Sequence, residues 1–320
     1  MSDITVLMPV FNTSANWLSQ SVESVLNQTY KDFKFLIIDD GSTNEDTLSY
    51  LKALKKTDSR ITIVRNPQNI GLVATLNRGI ALCDTKWIAR MDADDICLKN
   101  RLEKQIHFLH THPNTIVLGS NAKIIETGRM YSRKVIPQTR KEVEATLPFF
   151  CCFVHPAIIF NREEIAKLGG YPNVPRAEDY ALWLKVLFET NKEIENLPDV
   201  LMWIRKGLDN KPSYRTKIDS SGLTIHSYIA EKLHYEKLPA FWDDNEKDLK
   251  IKLRDFPLIR KAVIKRFPNV SIPHLDKEII KLKLKVIKKF KTSNNFWLFF
   301  QIIKLQAELF LKELQIYIVK

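Results

Sequence analysis

Through the first two hundred residues, short and almost continuously apolar runs alternate with segments of helical periodicity, and this rhythm narrows the fold more than any other feature. Ile4 to Val10 reads as a strand, and Trp17, Leu18, Val22, Val25 and Leu26 mark one face of a helix. Phe33 to Asp39 is a second strand, apolar at nearly every position, as expected of a strand covered on both faces. Ser42 to Glu45, STNE, matches a capping box that opens the next helix. Ile61 to Val64 is a third strand, and Val73 to Leu82 is a helix with Gly71 just ahead of it. Trp87 to Met91 is a fourth strand and ends at DADD. Strands alternating with helices predict an α/β fold on a mostly parallel sheet with helices on both faces.

After Ile116 to Ile125 the rhythm breaks. His155 to Phe160, HPAIIF, reads as a strand, and REEIAKLGGY as a short helix closed by Gly169 and Gly170. Ala181 to Phe188 is a helix, and Val200 to Arg205 is the last strand. From about Ser213 the patterning is mainly helical. Ile279, Leu282, Val286 and Phe290 form an apolar stripe among lysines, and a very apolar second helix begins at NFWLFFQIIKL. These signals place a domain boundary near residue 212, at DNKPS, between an α/β domain over 1–212 and a basic helical region over 213–320.

The net charge of +12 favours an anionic partner: nucleic acid, a phosphorylated ligand or lipid headgroups. The charge is concentrated, with six lysines and no acid in Lys281 to Lys291. No run of eighteen apolar residues exists, so no membrane-spanning helix is expected. MSDITVLMPV has neither the basic start nor the apolar core of a secretory signal. Four cysteines without a C-x-x-C pair fit a reduced, cytosolic compartment.

Four strand ends carry polar residues: PVFN, DDGS, RNPQNIG and MDADD. Ligands of open α/β sheets bind beyond the carboxyl ends of the strands. Neither a P-loop nor a G-x-G-x-x-G fingerprint is present, so this is not a glycine cradle for phosphate. Carboxylates repel a phosphate unless a divalent cation lies between them, and Mg²⁺ takes one or two carboxylates together with phosphate oxygens. In an extended segment Asp92 and Asp94 project to the same side, as such a site needs. Asp39 and Asp40 offer acceptors to a base N–H and to ribose hydroxyls. Phe11, just past the first strand, either stacks on the base or belongs to the core.

Taken together, VLMPVFN, SVESVLNQTYKDFKFLIIDDGSTN, NPQNIGLVATLNRGI, WIARMDADD, HPAIIF, GGY and AEDYALWLKV resemble an inverting family 2 glycosyltransferase of the GT-A fold, over roughly residues 4 to 205. The resemblance implies a nucleotide-sugar donor, often UDP-linked, and Mn²⁺ or Mg²⁺. It implies that the loop with Pro9, Phe11 and Asn12 holds the base and that Asp39 contacts it, with Asp40 nearby. Asn69, Gly71 and Asn77 then shape the nucleotide pocket. Asp92 and Asp94 form the D-x-D motif, with Asp94 the direct metal ligand. Asp179 becomes the catalytic base, with Glu178 beside it; read alone, the same pair is an ordinary acidic helix start.

One departure stands out. After the final strand the family often shows a histidine that approaches the metal or diphosphate, and here that position falls on Gly207. Arg205 remains, and with Lys206 is a candidate to neutralise the diphosphate. His155 is a candidate for the acceptor side, or a satisfied strand-end histidine.

The basic tail lies beyond the resemblance. Six lysines followed by Trp297, Phe299 and Phe300 read as an interfacial segment for anionic lipid, or as a helical subdomain packed on the protein or on a second subunit. The first reading places a cytoplasmic enzyme at the inner face of the cell membrane, beside a glycan or lipid-linked oligosaccharide acceptor. A nucleotidyltransferase and a non-catalytic nucleotide-sugar binder are the alternatives. Nucleic acid is not expected as a partner, because the lysines do not interleave with aromatics over a sheet.

Overall fold

Four strands open the chain: β1 (Ile4–Val10), β2 (Phe33–Asp39), β3 (Ile61–Arg65) and β4 (Trp87–Arg90). In the computed structural model they are parallel neighbours in the order β3-β2-β1-β4. The model describes residues 2–126, 129–132, 136–206, 220–234, 249–289 and 304–312. The chain divides into two compact units, Met1–Gln138 with Phe153–Arg215, and Thr139–Cys152 with Thr216–Lys320.

The first unit carries the sheet. Its helices include α1 (Ala15–Leu26), α2 (Glu45–Leu54), α3 (Leu72–Leu82) and α4 (Arg101–Thr111). Alternate residues of the strands point to opposite faces. Ile4, Val6, Met8, Phe35 and Ile37 meet Leu18, Val22 and Val25 of α1, Leu51 and Leu54 of α2, and Leu102 and Ile106 of α4 in one core. On the other face α3 crosses over β1 at Gly79, where a Cβ would sit 2.5 Å from Leu7 Cδ1. Both faces of the parallel strands are thus covered, which is why their sequences are so uniformly apolar.

Beyond β4 the sheet becomes mixed. The short β5 (Ile96–Cys97) pairs antiparallel with β9 (Glu193–Lys206), and β9 runs parallel to β6 (Thr115–Glu126). β7 (Arg129–Ser132) pairs with β6, and β8 (Ile159–Asn161) lies antiparallel between β4 and β6. Two further helices, α6 (Arg162–Lys167) and α7 (Glu178–Glu189), precede β9. The expected strand over His155 to Phe160 is shorter than its sequence suggests. His155–Ala157 forms a 3₁₀ turn, and pairing starts only at Ile159. Pro156 has no N–H to give a ladder, which accounts for the delay.

The second unit contains α5 (Arg140–Thr146), α8 (Ser220–Lys232), α9 (Leu249–Arg266) and α10 (Ile272–Lys289), with residues 304–312 also helical. Phe256, Ile259 and Val263 of α9 and Leu275, Ile279 and Leu282 of α10 are buried. Ser271 N–H donates to the Lys141 carbonyl, and Arg260 pairs with Asp276 at 2.7 Å. The side chains of Val286 and Phe290, and the residues Trp297, Phe299 and Phe300, lie outside the described residues. Among the described residues no helix is long and apolar enough to cross a membrane.

Candidate active site

Strand order sets the site. β2 and β3 lie to one side of β1 and β4 to the other, so the order reverses at β1 and opens a crevice at the carboxyl ends. At the β2 end the two aspartates turn inward. Asp39 is 2% exposed. Its Oδ1 accepts the Ser42 N–H at 2.8 Å, and its Oδ2 is paired with Arg65, its register neighbour on β3. Asp40 accepts the Asn66 side-chain amide at 2.6 Å and the backbone N–H groups of Ile70 and Gly71 at 2.9 and 3.0 Å. Both carboxylates thus make bonds within the chain. Asp39 closes its own turn, and Asp40 holds the loop before α3. Gly41 (φ 71°) makes this possible, because a Cβ there would lie 2.4 Å from the Gln68 carbonyl carbon.

The capping box expected at Ser42 does not form. Ser42 Oγ accepts the Asn12 N–H at 3.0 Å, and Asn44 caps α2 instead by accepting the Thr47 N–H. Tertiary contacts consume the serine before the helix can use it. Asn12 (φ 49°) also accepts the Thr43 and Asn44 N–H groups at 2.8 and 2.9 Å, stapling the β1 and β2 ends together. Phe11 is 49% exposed beside it, so it is not core. Pro9 lies in register with Ile38, and Asn69 is exposed.

After β4, Asp92 to Asp95 form a turn closed by Asp95 N–H to the Asp92 carbonyl, not the extended segment expected. The turn gathers three carboxylates: Asp92, Asp94 and Asp95 each present an oxygen within 4.8 Å of the others. Asp92 is paired with the buried Arg90. Burial, with the charges of Asp92 and Asp94, pushes the Asp95 carboxyl well above its ordinary range. Arg205 braces the turn: its N–H donates to Asp95 Oδ1 at 2.9 Å, and its guanidinium to the Asp94 carbonyl at 2.8 Å and to Gln20. Three hard carboxylate oxygens on one turn suit Mg²⁺ or Mn²⁺. The Lys206 side chain and Gly207 lie outside the described residues.

Beside this turn opens a pocket of about 860 Å³, lined among others by Gly71, Asn77, Arg90, Asp92, His155, Glu178 and Asp179. Pro9, Phe11, Asn12, Asp39, Asp40, Asn69, Asp94 and Arg205 are not on its wall. Asn77 exchanges two hydrogen bonds with the Tyr171 backbone, at 2.8 and 2.9 Å, fixing α3 to the segment before α7. Gly170 (φ 70°) permits that contact, since a Cβ would meet Asn77 Oδ1 at 2.4 Å. His155 Nε2 lies 2.9 Å from the Tyr171 hydroxyl. Burial, and then the charge of Arg90, keep His155 neutral. Glu178 and Asp179 open α7. Burial and the neighbouring Glu178 charge push the Asp179 carboxyl up to about 6, against the Tyr180 N–H that it accepts at 2.7 Å.

The family model described as glycosyl transferase family 2 matches residues 5–169. The chain belongs to glycosyl transferase family 2. It is 32% identical over 217 residues to the O-antigen biosynthesis glycosyltransferase WbnJ of Escherichia coli, covering 67% of this chain and 83% of that one. It is 31% identical over 209 residues to the amylovoran biosynthesis glycosyltransferase AmsE of Erwinia amylovora, covering 64% and 77%. Its fold is similar to S. aureus TarS 1–349 in complex with UDP-GlcNAc, with a TM-score of 0.60 at 18% identity over 91% of this chain and 82% of that one. It is also similar to the mannosyltransferase PcManGT from Pyrobaculum calidifontis in complex with GDP-Man and Mn²⁺, with a TM-score of 0.54 at 14% identity over 97% and 84%. The chain is thus a glycosyltransferase, which selects that expectation over the nucleotidyltransferase one.

Within this family 2 glycosyltransferase the structure adds residues that the motifs left without a role. Arg90 on the pocket wall, Asp95 in the acidic turn, Arg65 beside Asp39 and Tyr171 behind His155 all stand within the quoted segments or next to them. The available signal for Arg90 was a basic residue closing an otherwise apolar strand, two positions before Asp92.

Proposed function

We propose that this glycosyltransferase moves a sugar with inversion from a nucleotide-sugar donor, UDP-linked in the first instance, to a hydroxyl of a glycan or lipid-linked oligosaccharide, with Asp179 as general base. The observation that carries it is the Asp179 carboxyl, held near 6 at a helix start on the wall of the pocket that also contains Asp92. A base with that pKa is ionised at neutral pH and still basic enough to accept a proton. The acceptor O–H gives its proton to Asp179 as its oxygen bonds to the anomeric carbon. The bond from that carbon to the diphosphate oxygen breaks in the same displacement. Glu178 keeps the base proton-hungry by its charge, and Asn77 fixes the wall on which both stand.

Asp92 and Asp94, with Asp95 behind them, would hold Mn²⁺ or Mg²⁺, which supplies charge neutralisation to a departing nucleoside diphosphate. On this geometry Asp39, Asp40 and Asn12 shape the nucleotide side by fixing loops, and the exposed Phe11 supplies the stacking surface. Calorimetry with UDP-, GDP- and dTDP-sugars, with and without Mn²⁺, identifies the donor, and NMR of the product reads the anomeric configuration. Inversion with one preferred nucleotide is expected; a retained configuration sinks the single-displacement mechanism.

Polysaccharide assembly is the reaction class named for WbnJ and AmsE. A peripheral position on an anionic membrane fits a lipid-linked acceptor of that kind. The lysines of 281–291 support it, as do Phe310 and Leu311, 62% and 63% exposed on the helical segment 304–312. Each basic residue near such a surface contributes about 1 kcal/mol. The protein is expected to float with phosphatidylserine vesicles, to stay behind with phosphatidylcholine, and to lose flotation in the Phe310→Ser, Leu311→Ser double variant. Equal recovery on both lipids removes the electrostatic anchor.

A further inference from the structure

Val174 to Ala177, VPRA, form a tight turn on the way into α7, closed by the Ala177 N–H to the Val174 carbonyl at 3.1 Å. Pro175 takes its second position, where the fixed negative φ of proline belongs. Arg176 takes the third, at φ 63°. This pair of signs is that of a type II turn, whose third position calls for glycine or asparagine. An arginine there is held in a conformation that side chains with a Cβ avoid, and such residues gather at binding and catalytic sites. Asn12 and His234, the other non-glycine residues with positive φ among those described, are of types that enter this region readily. The turn itself therefore does not ask for an arginine. Its fourth residue, Ala177, is also the N-cap of α7, so the turn fixes Arg176 just ahead of Glu178 and Asp179. Arg176 is exposed and lines the pocket with both acids. The other guanidinium on that wall, Arg90, is 3% exposed and paired with Asp92.

We propose that Arg176 is an acceptor-contact residue and that it takes an anionic group, a carboxylate or a phosphate, on the acceptor glycan. The inference rests on the reading of Asp179 as general base and deepens it by naming the class of acceptor. The acceptor hydroxyl has to reach Asp179, so the acceptor enters beside the segment that leads into α7. Arg176 is the exposed cation of that segment. Charge selects what it binds. Glu178 and Asp179 repel an anion from the rest of this end of the pocket, so an acidic acceptor is favoured only with its charge against the guanidinium. The planar fork of an arginine meets two oxygens of a carboxylate or phosphate at once, which a lysine ammonium does not. A neutral sugar offers no charge to meet it.

The test uses the full chain with UDP and Mn²⁺ present, so that the donor side is filled. Three soluble probes are titrated by NMR: methyl glucuronide, glucose 6-phosphate and methyl glucoside. The wild type is expected to bind at least one anionic probe more tightly than the neutral one. Preference for the phosphate marks a phosphorylated acceptor, and preference for the carboxylate an acidic glycan. In Arg176→Gly, affinity for the preferred anionic probe is expected to fall about tenfold to a hundredfold, as for loss of a charge-assisted hydrogen bond. Arg176→Lys keeps the charge without the fork and falls less. Affinity for UDP stays within about twofold in both, below the loss of any such bond. Glycine suits the third position of the turn, so the melting temperature of Arg176→Gly is expected to hold or rise. A clear fall in melting temperature marks an arginine that serves the fold and overturns the inference. So does a wild type that binds no anionic probe more tightly than methyl glucoside, or an Arg176→Gly variant that keeps the preference. An equal loss of UDP affinity also overturns it, because Arg176 would then touch the donor. Full turnover in Asp179→Asn removes the general base instead, an outcome that none of these binding measurements shares.

Discussion

If Asp179 is the general base proposed above, Asp179→Asn is expected to lower turnover by about a hundredfold to ten-thousandfold, the share that a positioned general base contributes, and to leave nucleotide affinity at the wild-type value. The asparagine keeps the size of the side chain and can still accept the Tyr180 N–H, so the α7 start survives. Only the proton acceptor is lost. The pH profile gives an independent reading. Burial and the Glu178 charge raise the Asp179 carboxyl to about 6, so the base form is present above that value and disappears below it. On the acid side of about pH 6, kcat/KM is expected to fall about tenfold per unit. Glu178→Gln removes one of the two raising influences and moves that limb to lower pH. A wild-type profile that stays flat from about pH 7 to pH 5 would show that some other group takes the proton.

The second large effect belongs to the acidic turn. Asp94→Ala is expected to abolish the part of donor affinity that depends on Mn²⁺. Loss of an outer hydrogen-bonding partner alone costs a metal site about tenfold to a hundredfold in affinity, and loss of a direct ligand costs no less. Direct Mn²⁺ titration monitored by electron paramagnetic resonance, with and without UDP, checks this without relying on turnover. Arg205→Ala supplies the comparison, because Arg205 supports the turn through Asp95 and the Asp94 carbonyl and is not itself an oxygen ligand. Its effect should be the smaller of the two. Mn²⁺ affinity unchanged in Asp94→Ala would move the cation elsewhere.

Much of the first unit was legible because its elements are encoded locally. β1, β2 and β4 are buried on both faces, so apolar runs announce them, and α1 and α3 carry their stripes at helical spacing. What escaped was decided by contacts distant in sequence. Ser42 is a good cap by type but lies under Asn12, thirty residues earlier, and so the helix starts two residues late. Nothing local shows that Arg65, Ile70 and Gly71 come back to Asp39 and Asp40. Arg101 opens α4 as an ordinary basic residue, yet it is 1% exposed and reaches the carbonyls of Arg90 and Ile158. The segment 139–152 gives no local sign that it packs with C-terminal helices, a grouping made by pairs such as Ser271 with Lys141. For the site, motif order pointed to the pocket, whereas the division of labour within it depended on which carboxylates the fold had already used.

The bond from Asp40 to the backbone of residues 70 and 71 separates the shape of one pocket wall from its chemistry. That stretch is held by main-chain N–H groups, and its side chains at Ile70 and Leu72 stand 42% and 39% exposed. A carboxylate one strand away fixes where the wall runs, and the exposed side chains decide what it touches. Substitutions at 70 and 72 are then largely uncoupled from folding. The same scaffold can be diversified there, one exposed residue at a time, toward new sugars or acceptors, with the loop geometry inherited unchanged from Asp40.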